Sequence, residues 1–227
     1  MELKVIAHIR TDFPEKFGIP RQSGMVKGVK GRIVFLPEYR NPDAIRGIEG
    51  FSHLWLIWGF SEVHQEEGKW CATVAPPRLG GRVRMGVFAT RSPYRPNPIG
   101  LSSVKLERVE YDKKLGYTIW VSGIDMLDGT PIYDIKPYLP YADVHADSVG
   151  GFGDEVKGHR LSVEISQELM ERIEEGERQN LLEILEGDPR TAFIHDEERV
   201  WGVSYGKYNI RFTVKGDTLT VTDVEYL

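Results

Sequence analysis

The chain has few of the features that announce common chemistries. Its 227 residues include one cysteine, Cys71. A lone thiol excludes an intramolecular disulfide and a cysteine-built zinc site, and it fits a reducing compartment. Cys71 lies in WCATV, which reads as a strand, so a small buried apolar side chain is expected there rather than a nucleophile. The six histidines, at 8, 53, 64, 145, 159 and 195, form no pair at ligand spacing, and no metal site is expected. There is neither a GxSxG nucleophile turn nor a P-loop. Gly80-Gly81 and Gly86 have no helix signal behind them, which argues against a Rossmann-type nucleotide turn. No apolar run reaches membrane-spanning length, and MELKVIAHIRTDF lacks the layout of a secretion signal. A soluble, cytoplasmic protein without a membrane partner is the expectation.

What is present is ordinary globular composition with an uneven charge. Hydrophobic residues make up 41% and charged residues 28%, enough for one large or two modest domains with a real core. The net charge of −5 is concentrated in residues 160–227, which carry 15 acidic and 8 basic side chains. Residues 1–159 carry 19 acidic and 21 basic ones, and Gly68 to Leu106 holds seven Lys or Arg with no acid. A ligand responds to the field within a Debye length, about 8 Å at physiological salt, rather than to the total. A polyanion is therefore allowed, through one focused patch.

Strand signals dominate the first half. Residues 3–10, 26–36, 53–63, 70–75, 84–89, 101–111, 117–125 and 131–135 read as strands, with a hairpin turn at Asp112 to Gly116. Asn41-Pro42, with Gly47 at the exit, signals a short helix. Many strands with almost no helix between them point to an antiparallel barrel or sandwich. After residue 150 the pattern changes. Ser166 can cap a helix running to Gly187 with a break at Gly176, and 191–195, 199–205, 208–214 and 218–226 then alternate as strands. The expected architecture is mainly β: an antiparallel β-barrel domain over 1–158 and a small α+β domain over 159–227.

Three stretches could carry chemistry. Residues 76–102, PPRLGGRVRMGVFATRSPYRPNPIGLS, set five arginines among prolines and glycines with no acid nearby. Fixed turns bearing cations suit an anionic or electron-rich partner. In 125–143, DMLDGTPIYDIKPYLPYAD, the residues Asp134, Lys136 and Tyr138 alternate and so share one face of an extended segment. They offer an acid, a base and a phenol together, although a solvated strand face would look the same. FGIPRQ at 17–22 places a guanidinium and an amide behind a proline, which suits a carboxylate or a purine edge but equally an ordinary loop.

Together with FSHLWLIW (51–58), and EGDPRTAF (186–193) with WGVSYGKYNIRF (201–212), these stretches resemble the TsaA/TrmO family of tRNA N6-adenine methyltransferases, in family order and over nearly the whole chain. The resemblance implies a dimeric β-barrel enzyme with S-adenosylmethionine held near the subunit interface. It also implies methylation of N6 of threonylcarbamoyladenosine at position 37 of a threonine tRNA. Carried over position by position, the donor site comprises Pro20, Arg21, Gln22, His64, Gln65, Arg91, Leu101, Asp125, Met126, Leu127 and Asp128. Asp134, Lys136 and Tyr141 are the candidates for proton removal. Arg95 and Asn97 are expected at the anticodon loop or the threonyl carboxylate; in that loop a base can be splayed out and stacked without opening a duplex, and Tyr94, Tyr138 and Tyr141 either supply the stacking face or fill the barrel's mouth. Two positions depart from the family pattern: His8 stands where many members have Gly, and Ala75 where an arginine often precedes PPRLGG. A methyltransferase of the same fold acting on another modified nucleoside or a small molecule, and a non-catalytic donor- or RNA-binding barrel, are the alternatives.

Overall fold

The computed structural model describes residues 2–63, 69–76, 79, 83–190 and 196–227. The first half forms β1 (Ala7–Thr11), β2 (Lys30–Phe35), β3 (His53–Gly59), β4 (Thr73–Val74), β5 (Met85–Gly86), β6 (Ile99–Asp112), β7 (Gly116–Ser122) and β8 (Pro131–Pro137). Six of these pair antiparallel in the order β1-β2-β7-β6-β3-β8, and β8 returns to β1, with Ala7 opposite Ile132. The ring of pairings is a closed barrel, so the sheet has no unpaired edge to protect. β4 and β5 pair as a separate short ribbon.

Period-two alternation explains which faces turn inward. Ile9, Ile33, Leu54, Leu56, Ile119, Val121 and Ile132 are fully buried within the closed sheet. Burying each such side chain contributes about 1.5–3 kcal/mol. The β6–β7 hairpin closes as the sequence predicts: the Asp112 carboxylate accepts the backbone N–H groups of Lys114 and Leu115 at 2.8 and 3.0 Å, and Gly116 takes φ +73. The Asn41-Pro42 signal yields a 3-10 helix, Pro42–Ile45, with the Asn41 side chain accepting the Asp43 N–H at 3.0 Å.

Beyond the closed sheet come α1 (Pro140–Asp143), α2 (Phe152–Val156), β9 (Ser162–Glu164), α3 (Gln167–Glu171), α4 (Glu175–Glu186), β10 (Trp201–Tyr205), β11 (Tyr208–Lys215) and β12 (Thr218–Tyr226). The second sheet runs β10-β11-β12-β9, with β9 parallel to β12. Two sequence expectations need correction here, and one strand is new. The expected single helix is two helices, and the break falls at 172–174 rather than at Gly176, which lies in the first turn of α4. Ile173 is drawn into the core there, and the Glu174 N–H donates to the Tyr208 hydroxyl at 2.9 Å. Cys71 is exposed, because the expected strand 70–75 shrinks to the two residues of β4. The parallel strand β9 was not expected at all. The strand expected at 191–195 lies outside the described residues.

The two sheets share one apolar core. Phe17 stacks on Trp201 with ring centroids 5.8 Å apart, and Phe13 meets Tyr205 at 5.2 Å. Gly18, at φ +95, lies so close to Val203 that a Cβ there would overlap its side chain. The 17–22 loop is thus pinned between the closed sheet and the C-terminal unit. No described helix is long and apolar enough to cross a membrane.

Candidate functional site

Four stretches distant in sequence converge on a cavity of about 260 Å³ at one end of the closed sheet. Trp58 and Phe60, at the end of β3, form an aromatic wall, with their ring centroids 4.4 Å apart. Ile19 comes from the pinned loop, Pro93 and Tyr94 from the arginine-bearing turns, and Asp125, Leu127 and Thr130 from the run before β8. Lys16 and Glu62 form an ion pair at the rim, 3.3 Å apart. A β-bulge between Ile57 and Trp58 in the β3–β8 pairing breaks the regular alternation just before this wall.

Asp125 is the charged residue of the cavity that lies apart from the Lys16–Glu62 pair. Burial pushes its carboxyl above the usual carboxylate range. A hydrogen bond from the Ser102 hydroxyl, backbone N–H groups including that of Ser23, and the charge of Arg91 pull it back toward ionisation. The Ser102 bond is 2.6 Å long, and Ser102 itself accepts the indole N–H of Trp58 at 2.9 Å. Arg91 also donates to the side-chain carbonyl of Gln22. Gln22, Arg91 and Asp125, separate in sequence, are therefore neighbours in space.

The other expected donor-site residues divide. Leu127 lines the cavity, and its carbonyl accepts the Thr130 hydroxyl at 2.7 Å. Asp128 accepts the Thr11 N–H at 3.0 Å and pairs with Arg10 at 3.3 Å, fastening the run to β1. The side chain of Met126 is fully buried in the core. Leu101 is exposed on β6. Pro20 and Arg21 face a second, larger cavity of about 660 Å³ between the pinned loop and the C-terminal unit. There Arg21 donates to the carbonyls of Asp188 and Arg190 at 3.0 and 3.4 Å. His64 and Gln65 lie outside the described residues.

The expected acid–base group lies on β8 and beyond it. Asp134 and Lys136 do share a face, and they pair at 2.9 Å. Tyr138 packs against Trp55 and His53, with centroids 5.5 and 6.1 Å away, and Tyr141 is 86% exposed. None of these four lines the 260 Å³ cavity. Arg95 donates to the carbonyls of Thr90 and Ser92 at 3.1 and 3.4 Å, which stiffens its own turn, and Asn97 is exposed beside it. His8 donates through Nδ1 to the Gly129 carbonyl at 2.9 Å, so this departure from the family pattern braces the turn before β8.

Sequence reasoning missed Trp58, Phe60 and Ser102 as site residues. The two aromatics read as strand core, and nothing local in the sequence marks the bulge beside them. The finished cavity can hold a molecule with a planar face against the aromatic wall and a cationic or hydroxyl group at Asp125. Its volume is somewhat below the roughly 300–1,000 Å³ of typical small-molecule sites.

Residues 8–144 match the family model of the tRNA-methyltransferase O N-terminal domain, and residues 158–227 match that of the TrmO C-terminal domain. The chain is 38% identical over 221 residues to the tRNA (adenine(37)-N6)-methyltransferase of Escherichia coli K12, covering 94% of this chain and 93% of that protein. It is 39% identical over 228 residues to RcsF of Pseudomonas aeruginosa, covering 96% and 95%. The name of that protein assigns it provisionally to the S-adenosylmethionine-dependent methyltransferases. Two crystal structures of TrmO from Pseudomonas aeruginosa, each 33% identical, superpose with TM-scores of 0.78 and 0.76. They cover 100% and 99% of this chain and 97% and 98% of their own. With both family models matched in order and the fold shared end to end, the chain belongs to the tRNA-methyltransferase O family.

Proposed function

We propose that the protein is an S-adenosylmethionine-dependent methyltransferase acting on N6 of adenine 37 in tRNA, and that the base it methylates is N6-threonylcarbamoyladenosine. The observation that supports this most is the meeting of Gln22, Arg91 and Asp125 beside an aromatic-walled cavity, in a chain of this family. The residues present fit the donor. Trp58, Phe60 and Tyr94 offer π faces to a sulfonium and an adenine, Asp125 suits an ammonium or ribose hydroxyls, and Arg91 suits a carboxylate. Leu127 lines this cavity; Pro20, Arg21, His64, Gln65, Leu101, Met126 and Asp128 belong to the proposed donor set through the family resemblance, Met126 through its backbone because its side chain is in the core. When bound, the donor supplies an electrophilic methyl group.

The protein's own task is then to position and to deprotonate. Gln22 holds Arg91, and the Trp58–Phe60 wall keeps water from one side of the cavity. The acylated N6 is a poor nucleophile because its lone pair is delocalised, but its N–H is correspondingly acidic, so a modest base suffices. Asp134 accepts that proton in this reading, Lys136 balances the carboxylate at 2.9 Å before transfer, and Tyr141 offers a ring to the splayed base. Arg95, Asn97 and Tyr138 contact the anticodon loop.

The same proposal takes the protein as a cytoplasmic homodimer of two-domain chains, 1–158 and 159–227. Trp70 and Phe88, stacked at 5.9 Å and exposed, are the kind of surface a second copy would cover. The test is incubation with donor and threonylcarbamoyladenosine-bearing tRNA, followed by mass spectrometry of the nucleosides. A nucleoside heavier by one methyl is expected, and an unchanged one sinks the proposal. Equal, salt-independent methylation of the free nucleoside would point instead to a small-molecule substrate.

A further inference from the structure

We propose that Ser102 and Trp58 are positioning residues for Asp125, forming a directed hydrogen-bond relay that fixes the carboxylate facing the cavity. The inference rests on the reading of that cavity as the donor site. An indole nitrogen can only donate, so Trp58 Nε1 occupies a lone pair of Ser102 Oγ at 2.9 Å. The hydroxyl proton is then free to point at Asp125 Oδ1, 2.6 Å away. Ser102 is fully buried and Trp58 is 7% exposed, so water does not compete for the bond between them.

Both ends of the relay reach the cavity: the Trp58 side chain and the Asp125 carboxylate line it together. A serine needed only to satisfy a core hydroxyl could bond a neighbouring strand carbonyl. Here its proton goes to the Asp125 carboxylate, which belongs to the cavity lining. Opposite Ser102 on β3 lies Leu56, which offers no competing side-chain partner. The other groups facing Asp125 are the Ser23 amide and Arg91, with Lys16, Glu62 and Tyr94 nearer the rim.

Removing the Ser102 donor therefore moves Asp125 toward its protonated form. Ligand binding that needs the carboxylate should be lost at a higher pH. Hydrogen bonds to charged groups are large enough that Ser102→Ala should bind roughly tenfold more weakly on the acid side, with its acid limb displaced by about one pH unit. Trp58→Phe keeps the ring but frees the Ser102 proton to turn, and should shift the limb less. Ser102→Cys, a weak donor, should fall between serine and alanine.

The experiment is isothermal titration of the full chain with S-adenosylhomocysteine across the mildly acidic to mildly basic range. Wild type, Asp125→Asn, Ser102→Ala, Ser102→Cys and Trp58→Phe are compared, each with a thermal melt to confirm folding. The relay predicts weak, pH-independent binding for Asp125→Asn and displaced acid limbs, graded alanine, cysteine, serine, for the Ser102 series. If Asp125→Asn binds as wild type does, the donor-site reading falls and the relay with it. If Asp125→Asn is weak but Ser102→Ala and Trp58→Phe superimpose on wild type, the donor site stands and the relay is overturned. Ser102→Cys binding no better than Ser102→Ala would likewise overturn it, since packing rather than hydrogen bonding would then be the cause.

Discussion

Arg91 bonds the side-chain carbonyl of Gln22 across 69 positions of sequence. Its positive charge also helps hold Asp125 toward ionisation. One guanidinium thus ties the pinned loop, the arginine-bearing turns and the acidic run into one site before any ligand arrives. Such pre-organisation matters because a side chain already held gives up less freedom when it binds.

Replacing Arg91 by lysine tests that arrangement. Lysine keeps the charge but loses the planar fork that can serve Gln22 and a carboxylate at once. Donor affinity measured by titration should fall about 10–100-fold, the scale of a lost charge-assisted hydrogen bond. The melting temperature should barely move, because Arg91 is exposed. Unchanged affinity would remove Arg91 from the site.

Gly100 lies opposite Trp58 in the β3–β6 ladder, and a Cβ on it would overlap the indole ring. Gly100→Ala should therefore cost about 1–3 kcal/mol in urea unfolding, as over-packing does. By displacing the aromatic wall it should also weaken donor binding. Gly153→Ala, with open space around the new methyl, is the control and should leave both measurements close to wild type.

The strands of the closed sheet were legible because alternation is a property of neighbouring residues, and the hairpin because Asp112 and Gly116 carry their own turn chemistry. The destination of Arg21 was not legible. Its partners at Asp188 and Arg190 are backbone carbonyls, which leave no side-chain signature. Trp58 escaped for a different reason: a bulge is a mismatch between two strands, so one strand's sequence cannot show it. The break between α3 and α4 was misplaced at Gly176 because burial of Ile173 and the Tyr208 hydroxyl, both tertiary effects, outweighed local propensity.

Asp134→Asn separates binding from chemistry. Asp134 pairs with Lys136 outside the cavity lining, so the donor should bind the variant within about twofold of wild type. If Asp134 takes the N6 proton, the single-turnover methylation rate on modified tRNA should fall about 10²–10⁴-fold, the usual contribution of a general base. A rate within a few-fold of wild type would pass that role to another group.

Asp188 makes the C-terminal unit sensitive to acid. Burial acts to raise its carboxyl. The two-pronged hydrogen bond from Arg190, at 2.8 and 3.0 Å, and the contact with His159 at 3.4 Å outweigh that and hold it below the usual carboxylate range. A group whose acidity is strengthened by folding stabilises above its unfolded value, about 3.9, and loses that contribution as pH falls through its folded value. Asp188→Asn isolates the charge, because asparagine tolerates the left-handed backbone that Asp188 adopts at φ +53. At neutral pH the variant should be less stable by about 1.5–3 kcal/mol, the range for hydrogen bonds to charged groups. The difference from wild type should begin to shrink as the pH drops below about 4, where Asp188 of the unfolded chain takes up its proton, and should vanish once the pH has passed below the lower folded value. Urea unfolding at a series of pH values checks this, and a difference that stays constant with pH would mean that the Asp188 charge is not what holds Arg190.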